Sequence, residues 1–211
     1  SVRLMWLTLR PRSAAASRVA AARRKAGDGP DANSQRFLAV AFPHHQMRIL
    51  PYNRVVRDLG THTHESFLAA LAADFEITPA DRAVEPAQAT EFGLHLSGGR
   101  WFRLRLKAGL VPAADPVARL DVSLLAKHAL EPLLGIVDPR RDPRIDFVGG
   151  IRGVAELEKR VASGEMAAAF SMYPTQLVDL MAVADADQVM PPKSTWFEPK
   201  LADGMTSLML D

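Results

Sequence analysis

The sequence predicts a mixed α+β fold: a mixed sheet with hairpins and at least one strand–helix–strand crossover, with helices packed on it. Three stretches carry this reading. "EFGLHLSGGRWFRLRLKAG" alternates Phe92, Leu94 and Leu96 on one arm with Phe102, Leu104 and Leu106 on the other, around Ser97-Gly98-Gly99. That is the pattern of a hairpin. "IDFVGG", "GVAELEKRVASG" and "MAAAFSM" follow one another as strand, amphipathic helix and strand, which predicts a parallel crossover. Arg12–Ala26 is rich in Ala and Arg, lacks a breaker and stops at Gly27, which predicts a helix.

The remaining elements are read in order. A polar loop follows Gly27. "RFLAVAF" and "MRILPY" read as buried strands joined through Pro43-His44-His45-Gln46, with Pro51 near the second strand's end. A helix is expected from Glu65, capped by Thr63, with Phe67, Leu68, Leu71 and Phe75 on one face. Trp101, Arg103, Arg105 and Lys107 form a basic stripe on the hairpin's other face. Asp115 and Pro116 start a helix that carries Val117, Leu120 and Leu124 and ends at Gly135. Another helix is expected from Thr175, then a loop over 190–200, then a last strand in "MTSLML".

Bulk properties narrow the function classes. The 211 residues are 48% hydrophobic and 24% charged, and suffice for one large domain or two small ones. No apolar run is long enough for a membrane span, so no membrane partner is expected. The absence of cysteine removes thiolate catalysis, disulfides and Cys-based metal sites. With no legible signal peptide, it suits a reducing, cytoplasmic setting. Residues 1–60 hold 11 Lys/Arg and 3 Asp/Glu, a balance of +8, against −6 for the rest. A basic first segment suits phosphorylated ligands or nucleic acid, or is simply a solvated helix.

No phosphate-loop, dinucleotide, nucleophile-elbow or zinc-protease motif is present. The candidate residues are therefore local. Asn53 and Arg54 follow a buried strand, where an Arg fork suits phosphate or carboxylate; an ordinary strand end with an ion pair is the alternative. Gly149 and Gly150 either bring backbone close to a phosphate, with Arg152 beside it, or make the strand-to-helix turn. His128 lies on an apolar face and reads as a core histidine; the histidines form only local pairs, so no metal is expected.

"MPPKSTWFEPK", residues 190–200, is the richest stretch. Its prolines forbid a helix and stiffen the loop, and Trp196-Phe197 can anchor it. Lys193, Ser194, Thr195 and Lys200 then present charge and donors suited to phosphate, and Glu198 is a candidate base. A structural loop with exposed charges is the alternative.

"FLAVAFP", "ILPYNRVV", "LEPLLGI", "IDFVGGIRG", "AAAFSMYPT", "LMAVAD" and above all "MPPKSTWFEPKL" resemble, in this order, the bacterial and archaeal family catalogued as "domain of unknown function 1015". The resemblance covers residues 12 to 211, read as one α+β domain forming the C-terminal half of a longer family protein. The family's Asp-Gly-His-His-Arg signature is similar to that of ParB/sulfiredoxin-like proteins, which include nucleotide-dependent free-serine kinases. The resemblance implies binding of a nucleotide, with Mg²⁺, or of a small phosphorylated ligand, and transfer of phosphate to a small molecule. Arg12 and Ser13 match the end of the signature. Thr8-Leu9-Arg10-Pro11 departs from it, which marks residues 1–11 as an atypical segment. A shifted reading frame upstream is one explanation, although Leu9 does not fit it, and sequencing the gene tests it. Three readings stand open: a nucleotide-binding, kinase-like enzyme, a ParB-like nucleotide-gated adaptor that touches nucleic acid, and a fragment without activity. Substrate and oligomeric state are not legible.

Overall fold

The computed structural model describes residues 4–6, 10–38, 41–43 and 46–198. The chain divides into two compact units, Ser1–Arg48 with Phe197–Asp211, and Ile49–Trp196.

In the first unit, β1 (Leu4–Trp6) precedes the expected helix, α1 (Arg10–Lys25), and pairs antiparallel with β2 (Ala41–Pro43). Arg23, Arg24 and Lys25 close α1, where cations meet the negative end of the helix dipole. The following loop is tied back by Gln35 Nε2, which donates to the Ala20 carbonyl at 3.2 Å. The strand expected over 36–42 is seen only from Ala41, because Arg36–Leu38 is irregular. His44, His45, Lys200 and the strand expected in "MTSLML" lie outside the described residues.

The chain passes through β3 (Arg48–Leu50) into the second unit. There follow β4 (Tyr52–Val56), α2 (His64–Leu71), β5 (Phe75–Ala80), β6 (Glu91–Leu96) and β7 (Arg100–Leu106). A helical stretch, α3 (Asp121–Leu125), passes through one π-helical turn at Ala126–Leu130 into α4 (Glu131–Leu134). Then come β8 (Ile145–Gly149), α5 (Gly153–Ala162), β9 (Ala168–Met172), α6 (Leu177–Asp185) and β10 (Trp196–Glu198). The strand β10 partners β3 in a two-stranded sheet, so the expected loop over 190–200 contains extended structure.

Six strands form one sheet in the order β5-β7-β6-β9-β4-β8. The mixed α/β class and the hairpin stand as expected. The sheet is nevertheless antiparallel at every ladder, not mixed. The crossover β8-α5-β9 exists, but β4 lies between its two strands and pairs antiparallel with both. The strands of the crossover are thus parallel to each other without touching. Sequence spacing shows a crossover but not an inserted strand, which arrives from about 90 residues upstream.

Strand alternation divides the sheet into two apolar faces. Phe92, Leu94 and Leu96 are fully buried on one face, under Phe67 and Leu71 of α2 and Leu124, Leu125 and Leu130 of the α3–α4 stretch. The other face meets α5 through Leu157 and Val161, which pack with Val55, Val148 and Ala169. Trp101 is buried on this face and donates to Glu158 of α5 at 3.0 Å. The basic stripe is therefore broken: Trp101 is core, and Arg103 and Arg105 both bind the buried carboxylate of Glu91. Thr63 caps α2 with a reciprocal Ser66 contact, as expected. The helix expected from Asp115 begins only at Asp121. Asp115 instead caps a turn, accepting from the N–H groups of Val117 and Ala118. Phe75 belongs to β5, which continues the hairpin as an edge strand and accommodates Pro79 there. His128 is a buried core histidine whose Nδ1 lies 2.7 Å from Asp74 Oδ2.

Candidate functional site

The second unit gathers Tyr52 and Arg54 of β4, Phe147 and Gly149 of β8, and the Lys193–Trp196 stretch. The alternation of β4 places Tyr52 and Arg54 on one face and Asn53 on the other. Arg54 pairs across the ladder with Phe147, and its guanidinium lies 5.4 Å from that ring's centroid. Tyr52 sits edge-on to both Phe147 and Trp196, with centroids 6.0 and 5.5 Å away.

Arg54 is 4% exposed. Its Nη2 donates to the Lys193 carbonyl at 3.0 Å, and its Nη1 donates to the Tyr52 carbonyl. No carboxylate lies within ion-pair distance of it among the described residues. Burial pulls its pKa down to about 10, against the opposing effect of Tyr52, so it is still a cation at neutral pH. Asn53 and Arg54 are therefore not an exposed strand end. They are buried in a strand paired on both sides, and the chain at Lys193 folds back onto Arg54. Asn53 Oδ1 accepts from the Met172 N–H at 3.0 Å.

Two successive carbonyls of the loop are pinned. Arg54 holds that of Lys193, and Thr175 Oγ1 donates to that of Ser194 at 2.9 Å. In a trans peptide the N–H points opposite to the C=O. The N–H groups of Ser194 and Thr195 are thereby turned away from these two pins. Lys193 adopts φ +53°, an uncommon left-handed conformation for a side-chain-bearing residue. Its ammonium lies over Tyr52, 5.6 Å from the ring centroid and 3.5 Å from the hydroxyl. The Lys193 side chain is exposed, Ser194 is buried and Thr195 is half-buried. A fixed turn whose two amides face away from its pins, with one exposed ammonium and a buried guanidinium, has the donors and the charge that suit an anion.

Both glycines sit where a side chain would not fit. A Cβ on Gly149 would lie 2.3 Å from the Trp196 ring, and one on Gly150 would lie 2.6 Å from Pro51 Cδ. Gly149 thus seats the tryptophan that anchors the loop. Arg152 is exposed on the short turn Gly150–Arg152 before α5. Glu198 is half-buried on β10, in the first unit. Arg12 and Ser13 fall on α1, also in the first unit. Of the residues singled out in the sequence, the structure joins Arg54 with Lys193 and Ser194. Tyr52, Phe147 and Thr175 went unmarked, because their parts depend on contacts with residues far along the chain.

Among solved structures, the chain is similar to a free serine kinase in complex with AMP, at 14% identity and a TM-score of 0.44, covering 73% of this chain and 55% of that one. A variant of that kinase with AMP gives 13% and 0.44, covering 75% and 59%. A conserved hypothetical protein from Pyrococcus furiosus gives 16% and 0.43, covering 72% and 56%. The chain thus spans somewhat more than half the length of each. No curated protein matches it in sequence. A family model described as protein of unknown function, DUF1015, matches residues 12–123, which include β4 with Tyr52 and Arg54 but not the 190–196 loop. With more than half of its residues in that match, the chain belongs to the DUF1015 family.

Proposed function

We propose that the second unit binds the phosphate of a nucleotide or of a small phosphorylated molecule on the Lys193–Thr195 turn. The observation that carries this reading is the pinning of two successive carbonyls by Arg54 and Thr175, which turns the N–H groups of Ser194 and Thr195 away from those pins, next to Lys193. Phosphate binding by such a turn needs several aligned N–H donors and a nearby cation. Lys193 supplies the exposed charge. Arg54 fixes the turn and adds a buried positive charge with no neutralising carboxylate. Arg152 is a further proposed phosphate contact of this unit; in the first unit, taken by itself, Arg12, Ser13 and Lys200 are proposed phosphate contacts and Glu198 a proton acceptor if phosphate is transferred. Mg²⁺ would be carried in by the phosphates, since among the described residues no three His, Asp or Glu side chains converge.

A thermal-shift panel of inorganic phosphate, AMP, ADP, ATP and Mg²⁺-ATP tests the proposal. A site filled at a hundred times its Kd raises stability by about 2.7 kcal/mol, which is several degrees for a domain of this size. At least one compound is expected to produce such a shift, and Lys193→Ala is expected to abolish it. A flat response across the panel defeats the proposal.

A further inference from the structure

The tip of the β6–β7 hairpin and the end of α5 border a cleft of about 370 Å³, lined by His95, Gly98, Gly99, Glu158, Val161 and Ala162. That is room for a small ligand. Gly98 and Gly99 turn the hairpin with φ of +82° and +76°, and open space lies where side chains would stand on them. Val161 and Ala162 make one wall apolar.

Two acceptors in this cleft lack a donor from the protein. The His95 ring is 3% exposed and stacked on Trp101, with centroids 4.6 Å apart. Its Nδ1 lies 3.2 Å from the Arg100 carbonyl, which can only accept. Nδ1 therefore carries the proton, and Nε2 of the neutral ring presents a bare lone pair. Burial holds the ring below the usual histidine range, against the Arg100 carbonyl and Glu158, so it is neutral above pH 7. Nε2 has no partner among the described residues, yet it is not sealed from solvent. Glu158 Oε1 accepts from Trp101 Nε1 at 3.0 Å, while Oε2 is likewise reachable and without a donor.

Charge in the cleft is unbalanced as well. The last turn of α5 adds the negative end of a helix dipole to the Glu158 carboxylate. Of the cations in that turn, Arg160 is held by Asp146 and Glu165, and Lys159 does not line the cleft.

We propose that this cleft is a binding site for a small organic cation with N–H donors, a guanidinium or an ammonium, held between Glu158 and His95 Nε2. Such a cation supplies the missing donors and the missing positive charge together, and its carbon body lies along Val161 and Ala162. An anion would meet the Glu158 charge and no donor side chain. The site shares no residue with the Lys193–Thr195 turn, so either reading can fail alone.

The test is calorimetric titration of the whole chain at pH 7.5 with methylguanidinium, propylammonium and tetramethylammonium, the last a cation without an N–H. Saturable binding by at least one of the first two is expected, with tetramethylammonium weaker by roughly tenfold or more. Glu158→Gln keeps an acceptor for Trp101 and removes the charge, and should weaken binding by a similar factor. Ala162→Trp, a change at an exposed position on the cleft wall, should block binding with Glu158 intact and decides the matter if the Glu158 variant does not fold. No saturable binding of either N–H cation, equal binding of tetramethylammonium, or equal binding by wild type and variants would overturn the proposal.

Discussion

Asp121 shows what a single residue's surroundings do. In the unfolded chain its carboxyl ionises near 3.8, whereas in the fold burial holds it up to about 7. Below pH 4 both states carry the proton and the group costs nothing. Between pH 4 and 7 the unfolded chain sheds its proton while the folded one keeps it, so stability falls as pH rises. Above 7 the loss is complete, at most about 4 kcal/mol for a shift of this size, and nearer 2–3 after allowing for its partial exposure. Asp121→Asn keeps an acceptor for the Thr90 N–H and removes the titration. Melting temperature should therefore decline from pH 4 to 7 in the wild type and flatten in the variant, which should be the more stable at pH 8. Arg54 stays charged throughout this range and donates to two carbonyls. Arg54→Met would leave the carbonyls of Tyr52 and Lys193 without their donors, costing roughly 2–4 kcal/mol in denaturant unfolding. Neither role is visible in the local sequence. An Asp at a helix start looks like an ordinary first-turn acid, and its burial comes from a turn 31 residues away.

Among the elements, legibility follows the range of the contacts that make them. Helix α2 with its Thr63 cap and the β6–β7 hairpin are local, and their signals lie within about twenty residues. β5 was hidden: "FEITPA" holds a proline and becomes a strand only because β7 offers an edge. The π-helical turn in the α3–α4 stretch and the late start of α3 also leave no local pattern. Strand β8 packs closely on Trp196. Gly149→Ala would drive a methyl group into the indole ring, so Trp196 must shift and the turn before it must loosen. The expected cost is about 1–3 kcal/mol, read by denaturant unfolding. A change of Trp196 fluorescence in the folded state should accompany it. Unaltered stability together with an unaltered spectrum would mean that β8 does not seat the loop.

At the scale of the whole molecule, the sheet order β5-β7-β6-β9-β4-β8 brings together strands far apart in sequence. The candidate site is a product of that order. Because β4 inserts between β8 and β9, Arg54 and Tyr52 stand beside Phe147 and beneath a loop about 140 residues downstream. The sequence marked Arg54 and the 193–195 residues separately, and only the inserted strand joins them. The family match covers the strand but not the loop, so the pairing of the two is a statement about this fold. The central claim is that the pinned turn receives phosphate. Titration of isotope-labelled protein with ADP, followed by the amide signals of Ser194 and Thr195 and the guanidinium signal of Arg54, tests it most directly. The account predicts saturable downfield shifts of those two amides, with a change at Arg54 Nε–Hε following the same curve. Saturation with shifts confined to other residues, or no saturation at millimolar ADP and inorganic phosphate, would contradict it.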